Sequence, residues 1–118
     1  MEMSNQHLAL IFKALGDPTR LGIFQTLRGC AAARVEVDEG GEVRPAGSLS
    51  VGEVCCRIGG SGSTISHHLK ELRLAGLIRM EKRGRWIYCS VEPQALDQVQ
   101  AFLEEPGCAA EISECCLG

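Results

Sequence analysis

No apolar run in these 118 residues approaches the roughly 20 needed to cross a bilayer. The polar opening Met1-Glu2-Met3-Ser4-Asn5-Gln6 also lacks the apolar stretch of a signal peptide. Export and membrane insertion are thereby disfavoured, and the expected location is the cytoplasm. There is no Cys-x-x-Cys pair, which excludes a zinc ribbon or a thioredoxin-like motif. The run Gly59-Gly60-Ser61-Gly62-Ser63-Thr64 has glycines but lacks the lysine that a P-loop requires. Histidine is absent beyond His68, and Lys and Arg are absent from Glu92 onward.

What is present is 45% apolar and 23% charged, the balance of a folded chain rather than a disordered one. The length allows one domain of ordinary size, whose core is marginal alone, so self-association is expected. Seven cysteines in an unexported chain read as thiols for metal, metalloid or redox chemistry, not as a disulfide framework. The net charge of -3 conceals an uneven distribution. From Ser61 to Val91, Lys70, Arg73, Arg79, Lys82, Arg83 and Arg85 outweigh Glu71 and Glu81, a local +4. From Glu92 to the end there are six acidic side chains and no Lys or Arg. A basic middle beside an acidic end suits contact with a polyanion on one face only.

Leu8, Ile11, Phe12 and Leu15 recur at helical spacing, and Gly16 follows as a stop. Asp17-Pro18 then reads as a cap and first turn, since the carboxylate accepts orphan amide hydrogens and proline has none to lose. The helix it opens is expected to bury Leu21, Phe24 and Leu27 and to stop at Gly29. In residues 34–45, Val35 and Val37 alternate with Glu36 and Asp38 ahead of Gly40-Gly41, fitting either a solvated hairpin or a disordered acidic insertion. Residues 34–49 are set apart as that insertion, with no chemistry assigned. A short helix over residues 51–58 is expected to place Val51, Val54, Cys55 and Ile58 on one stripe. After the glycines, a further helix from about Ser63 to Gly76 turns Ile65, Leu69 and Leu72 inward. Two β-prone runs, 77–81 and 86–91, flank Lys82-Arg83-Gly84-Arg85 as a hairpin with a basic tip. Pro93 starts a last helix with Leu96, Val99 and Leu103 inward, ending at Pro106-Gly107.

Helix, tight glycine turn, helix and basic hairpin, in that order, form a winged helix-turn-helix. The fold class expected is therefore mainly α with a small β-hairpin wing. Residues 1–106 would make the domain and residues 107–118 a cysteine-containing tail. The second helix of the pair must fit a major groove about 12 Å wide, so its outward residues must be short and polar. Ser63, Thr64, Ser66, His67 and Lys70 meet that requirement. His68 is counted with them, an exposed polar role being its alternative. Arg83 and Arg85 on the hairpin would reach the flanking backbone or minor groove. The expected partner is double-stranded operator DNA.

Three segments carry a resemblance. Ala14-Leu15-Gly16-Asp17-Pro18-Thr19-Arg20-Leu21, then Ser63-Thr64-Ile65-Ser66-His67-His68-Leu69-Lys70 with Leu72-Arg73-Leu74-Ala75-Gly76-Leu77-Ile78, then Arg83-Gly84-Arg85-Trp86-Ile87-Tyr88, together resemble the ArsR/SmtB family of metalloregulatory repressors. The resemblance runs from about Leu8 to Phe102, apart from residues 34–49, where that family has a shorter connection. It implies a homodimer joined by the first and last helices. It also implies operator binding without inducer and release when a metal or metalloid binds.

The ligand set departs from better-known members. The positions where arsenic repressors of the family often carry Cys-Val-Cys-x-x-Cys fall on Ser50, Gly52 and Cys55, so only the third is cysteine. The zinc-sensing pattern on the last helix is absent, since Asp97 is followed two residues later by Val99. Sulfur remains: the vicinal pairs Cys55-Cys56 and Cys115-Cys116, with Cys108 seven residues before Cys115. Soft thiolates select soft centres, so As(III), Sb(III) or a methylated arsenical is the expected inducer, with Cd, Hg or Pb as alternatives. No organic cofactor is implied. Cys115 and Cys116, joined by Cys108 or by a thiol of Cys55 and Cys56, form the candidate site. Cys55 and Cys56 alone, about 100° apart on a helix, are poorly placed to share one ion. Cys30 and Cys89 read as structural. A thiol-redox or sulfide sensor on the same scaffold is the nearest rival. An enzyme is the more distant one, because the histidines lie on the presumed groove-facing helix.

Overall fold

The computed structural model describes residues 4–30 and 44–104. Helix α1 (Asn5–Leu15) is opened by Ser4, whose hydroxyl accepts from the His7 amide, and is closed at Gly16. In α2 (Pro18–Gly29), Asp17 caps the Arg20 amide and Pro18 takes the first turn. Strand β1 (Leu49–Ser50) leads directly into α3 (Val51–Ile58). Ser50 and Glu53 there form a reciprocal capping box, satisfying two orphan amides at once. Helix α4 (Gly62–Leu74) follows, then β2 (Ile78–Arg83), β3 (Trp86–Val91) and α5 (Pro93–Glu104). This is the expected mainly helical, winged helix-turn-helix architecture.

The three strands form one antiparallel sheet in the order β1-β3-β2. Its register pairs Leu49 with Cys89 and Cys89 with Met80, so a small thiol sits in the middle of the sheet. The core joins Ile11, Ile23, Leu27, Val54, Ile65, Leu69, Leu72 and Leu77, all essentially without solvent contact. Each such leucine or isoleucine is worth about 2–5 kcal/mol against alanine. The helix-turn-helix therefore rests on the first two helices and the sheet together.

Several expectations are corrected. Leu21 is 40% exposed and Ile23 is buried in its place, because the α2 stripe centres on Ile23, Phe24 and Leu27. Phe12 is likewise 43% exposed, Ala14 taking the inward position on α1, and its ring leans on Phe102 with centroids 5.8 Å apart. Leu103 is 70% exposed, since α5 contributes Ala95, Leu96 and Val99 to the core and then runs past its edge. Residues 48 and 49, expected to belong to the insertion, are both buried. Ser48 closes a turn by bonding the Pro45 carbonyl through its hydroxyl and amide, and Leu49 opens the sheet. Of residues 34–45, expected as a hairpin or acidic insertion, all but 44 and 45 lie outside the described residues, as do the boundary at 106 and the tail.

Candidate nucleic-acid interface

The joint between α3 and α4 depends on backbone that side chains disfavour. Gly59 has φ +84° with ψ 171°, and Gly60 has φ +97°. Nothing lies within 4 Å of a Cβ built at either, so the requirement is conformational rather than steric. Ser61 then caps α4, accepting from the Thr64 amide at 3.2 Å while its hydroxyl meets those of Ser63 and Thr64 at 3.2 and 2.8 Å. Three hydroxyls thus gather at the positive end of the helix dipole, a polarity suited to phosphate.

With Ile65, Leu69 and Leu72 buried, Ser63, Ser66, His67 and Lys70 are turned to solvent, as the spacing requires. Thr64 is exposed as well, although its hydroxyl is held by Ser61. His68 lies differently. It is half-buried on the flank toward α2, its Nδ1 3.5 Å from Nη1 of Arg20. Because a guanidinium can only donate, Nδ1 accepts and the His68 proton sits on Nε2. The same Arg20 donates from Nε to the Ala14 carbonyl at 2.8 Å. Its amide bonds the Asp17 carboxylate, and that bond, aided against desolvation by the Arg20 charge, holds the Asp17 pKa below its usual value.

The basic hairpin is present, with a shorter tip than the four residues expected. Arg83 pairs with Trp86 as the last rung, leaving Gly84-Arg85 as a two-residue turn in which Gly84 takes φ +59°. Glycine first is the pattern of a II′ hairpin turn. Arg83 is consequently a strand residue, and its guanidinium meets Glu81 at 3.0 Å. Arg85 is at the tip, 5.8 Å from the centroid of the exposed Trp86 ring. Between α4 and the wing runs a cleft of about 400 Å³ lined by Ser66, Lys70, Arg73, Met80, Lys82 and Ile87. In the sequence Arg73 and Lys82 contribute only to local charge; the fold brings both beside Lys70 in this cleft.

Arg44 escaped sequence reasoning altogether. Its guanidinium pairs with Glu53, bonds the Ser48 carbonyl at 3.3 Å and stands 5.1 Å over the Tyr88 ring. Burial works against the Glu53 carboxylate, but Arg44 and the Ser50 amide outweigh it and hold the pKa below the usual value. The start of the helix-turn-helix is thereby tied to the wing.

The described thiols differ in burial. Cys89 is fully buried, and desolvation pushes it up to about 11, which makes it an inert core residue. Cys30 is half-buried at the end of α2, with the Arg57 guanidinium 3.9 Å from its sulfur. Cys55 packs partly against the core, while Cys56 is exposed. Among the described residues, no three His, Cys, Asp or Glu side chains are grouped to hold an ion. Cys108, Cys115 and Cys116 lie outside the described residues, and no helix among those described is long and apolar enough to cross a membrane.

Comparison with known proteins gives this geometry its family. Residues 15–81 match the family model of a helix-turn-helix domain. The chain is 32% identical over 100 residues to the cadmium resistance transcriptional regulatory protein CadC homolog of Staphylococcus aureus, covering 83% of this chain and 69% of that one. It is 30% identical over 94 residues to the arsenic resistance transcriptional regulator ArsR2 of Pseudomonas putida, covering 80% and 68%. The crystal structure of an ArsR family transcriptional regulator superposes with a TM-score of 0.67 at 27% identity, covering 89% of this chain and 91% of the other. With its exposed polar helix face, its basic wing and relatives named as transcriptional regulators, the chain belongs to the ArsR/SmtB family of helix-turn-helix transcriptional regulators.

Proposed function

We propose that the chain is a homodimeric repressor that leaves its operator when a thiophilic ion, As(III) or Sb(III) foremost, is bound by cysteine. The observation that carries the DNA half is the solvent face of α4 beside the cationic cleft. Ser63, Ser66 and His67 would meet base edges. Thr64, Lys70, Arg83 and Arg85 would meet phosphate, Arg83 after exchanging its Glu81 partner. His68 would act from behind α4 instead. The half-exposed Phe12 and Phe102, whose rings meet at a tilt, with the exposed Leu103 supply an apolar face on α1 and α5 for a second copy.

The ligand half rests on sulfur chemistry and on relatives concerned with arsenic and cadmium resistance. Arsenite has three hydroxyls, and each thiol that replaces one loses its proton and releases water. Three sulfurs are needed for a complete exchange. Cys115 and Cys116 with Cys108 or the exposed Cys56 offer that number, whereas the buried Cys89 does not. Closing such a ring would disturb α5 and, through the dimer, the spacing of two recognition helices that must reach half-sites about 34–36 Å apart. Cadmium is the second reading, favoured by the staphylococcal relative. The test is release of a promoter duplex during titration with arsenite, antimonite or cadmium, with Cys115→Ser/Cys116→Ser alongside. Ion-driven release that persists in this variant removes the two thiols from the mechanism. No release from the wild type by any of the three ions removes metalloid sensing itself.

A further inference from the structure

Helix α4 is fastened to α1 at two polar points, neither on its solvent face. At its end, the Leu77 amide bonds the Leu72 carbonyl and the Gly76 amide that of Arg73, the Schellman closure of a helix. The Ala75 carbonyl lies 3.2 Å from Nε2 of His7 at the start of α1. A carbonyl only accepts, so His7 carries its proton on Nε2. Gly76 comes next with φ +79°, and a Cβ there would stand 3.3 Å from that same nitrogen. Midway along α4, Arg20 spans the second point: Nε holds the Ala14 carbonyl of the last turn of α1 at 2.8 Å, and Nη1 faces Nδ1 of His68 at 3.5 Å.

The apolar contacts of Ile65, Leu69 and Leu72 resist separation of α4 from the core, but they are not directional and resist rotation about the helix axis weakly. Two bonds of defined geometry, seven residues or about 10 Å apart along the axis, remove that freedom. The geometry points to His7 and Arg20 as positioning residues for operator recognition: they fix the pose of α4 against α1 and act through α4 rather than on the duplex. His68, expected at the groove, belongs to this strap. The same two points make α1, whose Phe12 ring leans on Phe102 of α5, the element through which a shift of the α1/α5 face reaches the recognition helix. This rests on the repressor reading for its consequence, though not for its geometry.

Two measurements on the full chain test it. In the DNA-free protein, nitrogen–proton NMR of the imidazoles should show His7 and His68 as Nε2–H tautomers. Arg20→Met should also speed amide exchange across residues 65–72 about tenfold. In retardation experiments, a duplex of the gene's own promoter and a scrambled duplex of equal length serve as probes. His7→Leu and Arg20→Met should each weaken promoter binding about five- to tenfold, the equivalent of one hydrogen bond, and leave the scrambled duplex and the salt slope unchanged. His7→Gln keeps an N–H donor and should restore promoter binding. A purely structural role would weaken both duplexes alike, a phosphate contact at Arg20 would flatten the salt slope, and an idle strap would leave the promoter-to-scrambled ratio at its wild-type value. Any of these three results overturns the positioning role. If the wild type itself fails to prefer its promoter, the repressor reading falls, and the tautomers and exchange rates still decide whether the strap exists.

Discussion

Removing Lys70 and Arg85 together should change how operator affinity depends on salt more than it changes the fold. Both are exposed, one in the cleft between α4 and the wing and the other at the wing tip. Each phosphate neutralised by a cation contributes about 0.9 to the slope of log affinity against log salt. The proposed dimer presents each residue twice, so Lys70→Gln/Arg85→Gln would remove four cations and should make the slope shallower by about 3.6. Between 50 and 200 mM salt, the variant should therefore lose about 150-fold less affinity than the wild type does. Arg83 makes a poorer first target because its pairing with Glu81 must be exchanged for phosphate, which mixes two effects. The assay is retardation of a promoter duplex at four or five salt concentrations, with circular dichroism to confirm that the variant is folded. A slope equal to that of the wild type would refute the claim that this cleft and wing tip follow the DNA backbone, however much the affinity had dropped.

Three further outcomes follow from local structure. Gly59→Ala places a Cβ where φ is +84° and ψ 171°, and should cost about 1–3 kcal/mol, read as a lowered midpoint in urea or thermal unfolding. Glu53→Gln should cost about 1 kcal/mol near neutral pH, since it discharges the pair with Arg44 while keeping a side chain able to complete the capping box. The folded-state pKa of Glu53 is depressed, so its contribution is complete above the unfolded carboxylate range and is lost as pH falls through the folded value. Denaturation curves of wild type and variant should accordingly converge in acid, and a gap that stays constant would contradict the pairing. Alkylation followed by peptide mass spectrometry at neutral pH should label Cys56 readily and Cys89 only under denaturant, because the Cys89 thiol is buried and raised to about 11. Equal labelling of the two in the folded protein would show that the sheet does not seal Cys89.

Much of the fold was legible because several signals agreed over short distances. Asp17-Pro18, Ser61 with its preceding glycines, and the stripe Ile65, Leu69 and Leu72 each mark an element from within a few residues. Where the reading slipped, a single helix face had more apolar candidates than the core had room for. Leu21 and Phe12 fit the helical period as well as Ile23 and Ala14 do, and only the position of neighbouring helices decides which of them is inward. Strand β1 went unrecognised because two residues carry no periodicity, and its existence depends on β3 offering Tyr88 and Cys89 as partners. Among the candidate site residues, those whose burden is simply to be outward on α4 were placed correctly, while His68 was not, since its partner Arg20 lies 48 residues away.

By itself the sequence determined the kinds of element, their order and the polar character of the outward face of α4, because capping, periodicity and side-chain size act locally. Only the tertiary structure decided that Lys70, Arg73 and Lys82 share one cleft, that Arg44 ties the start of α3 to the wing, and that Arg20 and His7 bind α4 to α1. Those arrangements need groups far apart in the chain to meet at hydrogen-bond distance, and no pattern within one segment specifies the angle at which two helices pack.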